Sequence, residues 1–111
     1  MALNGGKPLV QRSERGLVDA TVTLEEASLN RGKHNFQVAL TPSEGDALPA
    51  LVSAEATMPA HGHRVSAEVA AAGSDFVIED MNLFMSGRWQ VTLGVELDTR
   101  SDSVEFALDV P

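Results

Sequence analysis

Nine residues near the C-terminus, Trp89-Gln90-Val91-Thr92-Leu93-Gly94-Val95-Glu96-Leu97, alternate large apolar side chains with small or polar ones without a break. Successive side chains of a strand leave on opposite faces, so such a run buries one face and wets the other only as β-structure. A helix would spread the same apolar residues around its whole circumference. The pattern recurs. Val18, Ala20, Val22 and Leu24 face one way in a first strand, and Phe36, Val38 and Leu40 in a second that Pro42 stops. Val52, Ala54 and Ala56 form the buried face of a third, ended where Pro59 removes a ladder donor. Val65, Ala67 and Val69 follow, then Phe76 and Ile78, a short run around Leu83, and finally Val104, Phe106, Leu108 and Val110.

Turn residues separate these segments every 8 to 12 positions or so, and no helical period is long enough for a crossover. The expectation is therefore an all-β, two-sheet antiparallel sandwich of seven or eight strands, immunoglobulin-like in class. One alanine-rich stretch, "AEVAAAGSD", competes as a turn or two of helix. Residues 1–16 lack the alternation and read as a flexible N-terminal arm on a single domain of residues 17–111. Aromatic residues make up only 5% of the chain and tyrosine is absent, so small aliphatic side chains have to fill most of the core.

Composition removes several functions. The net charge of −8 disfavours a nucleic-acid partner, which needs a basic patch to displace counterions. The absence of cysteine excludes disulfides, thiolate metal sites and cysteine nucleophiles. No serine-nucleophile elbow, phosphate-cradling glycine loop or helical histidine–carboxylate motif is present, and the acids at 46, 55, 68 and 79 are scattered on outward positions. The chain reads as a non-enzyme. It has no apolar run long enough to span a bilayer, and "MALNGG" reads as a start that follows a removed targeting or anchor segment.

The chemistry concentrates in "TMPAHGH". His61 and His63 stand two apart around Gly62, so on an extended backbone both imidazoles leave on one face, with Met58 across a proline-bounded bend. Two imidazoles and a thioether suit copper, sulfur favouring the cuprous state; two imidazoles with a carboxylate would suit zinc. A second methionine pair, Met81 and Met85, brackets Leu83. Met81 reads as a core filler, whereas Met85, beside the Ser86-Gly87 turn, is a further candidate ligand. The metal set is thus His61, His63, Met58 and Met85, with no catalytic or organic-cofactor residues; His34 stands outside it and Trp89 belongs to the core. Imidazole ligates only when neutral, so affinity should fall as pH drops through about 6.5, a typical histidine value.

"TMPAHGH" followed by "GSDFVIEDMNLFMSGRWQVTLGVE" resembles the YtkA-like family of small extracytoplasmic β-sandwich domains, related in pattern to FixH. The family's Met-Pro-x-x-x-His loop falls on Met58, Pro59, His61 and His63, and its aromatic strand and Met-x-Gly-x-Trp turn on Phe76, Phe84, Met85, Gly87 and Trp89. Phe76 stands where the family commonly has tyrosine, and residues 1–111 include no apolar run that would read as a membrane anchor. The resemblance covers about residues 17–110 and implies a periplasmic or otherwise extracytoplasmic copper-handling or oxidase-assembly module. The rival reading is a metal-free sandwich that docks an envelope protein through an exposed edge strand.

Overall fold

The computed structural model describes residues 2–3, 7–26 and 28–111. They form nine strands and no helix: β1 (Ala2–Leu3), β2 (Leu9–Arg12), β3 (Val18–Leu24), β4 (Gly32–Pro42), β5 (Ala50–Met58), β6 (His63–Ala72), β7 (Asp75–Leu83), β8 (Gly87–Leu97) and β9 (Arg100–Val110). Wherever the alternation was strongest, the buried face is the one it marks. Val18, Ala20, Val22 and Leu24 of β3 are buried, as are Trp89, Val91, Leu93, Val95 and Leu97 of β8 and Val104, Phe106, Leu108 and Val110 of β9. Burying each large aliphatic side chain stabilises the fold by about 1.5–3 kcal/mol, which is how a core so poor in aromatic residues suffices.

The strands join edge to edge in the order β1-β9-β8-β5-β6-β7-β4-β3-β2, antiparallel throughout except for β1 beside β9. Instead of two separate sheets there is one nearly closed, barrel-like sheet, because β6 changes partners midway. Its first half, His63–Ala67, pairs with β5, and its second half, Glu68–Ala72, with β7. The two ends of the sheet meet through the β2–β3 turn. The Glu14 amide donates to the Ser103 carbonyl at 2.8 Å, and the Asp102 carboxylate accepts the amides of Arg15, Leu17 and Ser103.

Four further expectations change. Residues 9–12, inside the stretch read as a loose arm, are a strand with Leu9 in the core, held by β3; residues 1 and 4–6 of that stretch lie outside the described residues. "AEVAAAGSD" forms the end of β6 and a hairpin turn, not helix, because β7 supplies it with a ladder. Phe76, Ile78 and Leu83 lie on one continuous strand, β7. Val52 is 47% exposed, because the pairing of β5 with β8 slips between Leu51 and Ser53. A bulge of one residue turns every following side chain to the other face, so Leu51 and Ala54 are buried and Val52 is not.

Candidate metal site

The β5–β6 hairpin carries the histidine loop. Pro59 presets the dihedral of a tight turn, the His61 amide donates to the Met58 carbonyl at 3.1 Å, and Gly62 takes φ +66°, which spares a side chain the left-handed strain. The loop is therefore turned, not extended. The rings converge nevertheless: the imidazoles of His61 and His63 stack with centroids 6.0 Å apart and planes 24° from parallel. His61 is exposed and His63 half-buried.

Met58 and His63 are directly opposed in the ladder, so both side chains leave on the same face of the hairpin. Their depths differ. Met58 is 1% exposed and reaches under Gly87, whereas His63 turns outward to meet Phe84 edge-on, with centroids 5.0 Å apart. Phe84, 44% exposed, in turn contacts Trp89 edge-on at 5.5 Å. Trp89 is fully buried, and its indole N–H donates to the Met85 carbonyl at 3.0 Å. That bond satisfies the one polar atom of the ring and pins the backbone of the β7–β8 link. Met85 is half-buried against the core.

The histidine loop and the β7–β8 link thus share one pole of the molecule. His61, His63, Met58 and Met85 all lie there, Met58 as the floor and the two rings as the rim. Met81 is fully buried in the core, in keeping with its reading as a filler. Among the described residues no group of three or more histidines and carboxylates stands close enough to hold a metal ion. Beyond the two imidazoles, the side-chain donors at this pole are the thioethers of Met58 and Met85.

Two contacts were not legible in the sequence, which marked Phe84 only through the family resemblance and set His34 outside the site. Phe84 interrupts the alternation next to Met85, a signal that it faces outward, and it is the contact that joins the loop to Trp89. His34 does have a structural role. It is buried, with Nδ1 hydrogen-bonded to the Glu26 carboxylate and Nε2 to the Asn30 carbonyl at 2.6 Å, and so ties down the β3–β4 connection. Its neighbour Asn35 lies at a bulge and accepts the Asp80 amide at 2.8 Å, where Asp80 takes φ 53°.

Comparison with family models, curated proteins and solved structures gives no match for this chain.

Proposed function

We propose that the chain is a metal-carrying module that holds a cuprous ion at the His61–His63 pole for delivery or storage. The observation that supports this reading most directly is the pairing of two imidazoles 6.0 Å apart at the end of the sheet that also carries Met58 and Met85. With metal–nitrogen bonds of about 2 Å, a small rotation of each ring brings one nitrogen of each to a shared ion. His61 and His63 supply nitrogen. Met85, half-buried at the same pole, supplies sulfur through a rotamer change, and Met58 does so only if the floor under Gly87 opens. Zinc has no carboxylate to complete its set among the described residues, whereas thioether sulfur suits a soft cuprous ion. Placement outside the cytoplasm and a role in copper handling or oxidase assembly follow from the YtkA-like resemblance.

Competition of the apo protein against a cuprous chelator tests the assignment. Binding should vanish in the His61→Ala, His63→Ala double variant and weaken in Met85→Leu. Unchanged binding in the double variant would remove this pole from consideration.

One observation favours the metal-free docking reading. Where β6 leaves β5 for β7, the edge of β5 at Ala50–Ser53 and that of β6 at Glu68–Ala72 have no strand between them among the described residues, and Glu55 and Glu68 flank the gap. The occupant that fits is an extended, basic segment of a partner protein, added as a strand. Amide protection at Glu68–Ala72 on mixing with an alternating Lys-Val peptide, and none with a Glu-Val peptide, is its expected signature.

A further inference from the structure

The pole opposite the histidine loop has a different character. A cavity of about 340 Å³ opens between the β2–β3 turn, the start of the β4–β5 connection and the β8–β9 hairpin. Arg12, Arg15 and Arg100 surround it, with Ser43, Glu44 and Leu17 completing the parts that matter here. Three of the chain's eight basic residues therefore meet at one point of a protein with net charge −8. Glu44 also lines it, and Asp19 and Asp102 offset part of the arginine charge from just outside the lining.

The guanidinium groups are partly committed and partly free. Arg12 is held by Asp19, with Nε 3.0 Å and Nη2 3.4 Å from its carboxylate oxygens. Arg15 spends one Nη1 donor on the Ser101 carbonyl at 2.9 Å. Arg100 has no side-chain hydrogen bond or ion pair among the described residues. Each guanidinium carries five N–H donors, so most of them are unused. The turn that carries Arg15 is itself fixed, because Asp102 accepts the amides of both Arg15 and Leu17.

Ser43 provides the independent observation. Its backbone amide is satisfied by the Leu17 carbonyl at 2.9 Å, yet its hydroxyl oxygen is buried with no hydrogen-bond partner. A buried hydroxyl without a protein partner is costly to keep unless a water, an ion or a ligand satisfies it.

We propose that this cavity binds a phosphoryl group, with Arg15 and Arg100 as its charged donors, Arg12 as an oriented third, and the Ser43 hydroxyl as the donor at its buried end. Donors approach from the end of β2, the following turn, the start of β9 and the residue after β4. A tetrahedral oxyanion offers oxygens to all four directions, whereas a carboxylate offers two in one plane. Arginine's planar fork matches phosphate oxygens in pairs. The proposal concerns the pole away from the histidines and stands or falls independently of the copper reading.

Titration of the full chain with inorganic phosphate, against acetate at matched ionic strength, tests it. Phosphate is expected to raise Tm and shift the amides of Arg15, Gly16, Ser43 and Glu44, leaving His61 and His63 unmoved. The Arg15→Gln, Arg100→Gln double variant should bind roughly tenfold more weakly. Ser43→Ala should also weaken binding while leaving the apo Tm unchanged or higher, since it removes an unsatisfied hydroxyl. Vesicles of phosphatidylcholine containing phosphatidic acid identify the source: capture that the double variant loses assigns a lipid headgroup, and response to free phosphate without capture assigns a soluble phosphate. Equal responses to phosphate and acetate, or phosphate binding unaltered in the double variant, would overturn the proposal.

Discussion

Met58 and Gly87 fit against each other across two strands: a Cβ at residue 87 would stand 3.2 Å from the Met58 Cε and 3.9 Å from its Sδ. The floor of the histidine pole thus depends on a missing side chain. Gly87 also takes φ +129°, which side-chain-bearing residues rarely adopt. Gly87→Ala should cost about 1–3 kcal/mol through strain and crowding, read as a lower denaturation midpoint with an unchanged m-value. A full-stability variant would mean that Met58 yields freely and that the backbone at residue 87 relaxes without cost.

Trp89 is the chain's single tryptophan, and there is no tyrosine, so its emission reports one place only. Ligand binding at His61 and His63 should reach it through Phe84 and change its intensity. Phe84→Ala should abolish that change while leaving His61 and His63 in place. Trp89→Phe removes the donor to the Met85 carbonyl and part of the core volume, for a loss of about 1–3 kcal/mol and faster amide exchange at Met85–Gly87.

Asp102 makes the closure of the sheet acid-sensitive. Burial raises its carboxyl pKa, but hydrogen bonds from the Ser13 hydroxyl and from the amides of Arg15, Ser103 and Leu17 outweigh burial and hold it below the ordinary value of 3.8. A depressed folded value means stability that is present above the unfolded pKa and lost as pH falls through the folded one. Below about pH 4 the wild type should therefore weaken progressively. Asp102→Asn, poorer by about 1–2 kcal/mol at neutral pH, should lack that component of the acid loss in pH-dependent denaturation.

Glu105 has the opposite sign. Burial, then the hydrogen bond and charge of Glu14, raise its carboxyl above 4.5. The folded state therefore prefers the protonated form, and this contribution to stability is present below 4.5 and lost as pH rises through the folded value. Glu105→Gln should raise Tm at neutral pH, with the gain disappearing below the unfolded value. A gain that persisted into acid would point to packing and not to charge.

The sequence by itself determined which side chains face inward on β3, β8 and β9, because a strand's period of two is local and every residue from Trp89 to Leu97 obeys it. It also located the histidine hairpin, since Pro59 and Gly62 act on their own backbone. Only the tertiary structure decided which strands meet. The alternation is silent on neighbours, so it revealed neither β6 dividing itself between β5 and β7 nor the slip that turns Val52 outward. The same holds at both poles. Met58 lies beneath Gly87, and Ser43 beside Arg15 and Arg100, through contacts between segments distant in the chain, and such contacts are set by register and closure rather than by spacing.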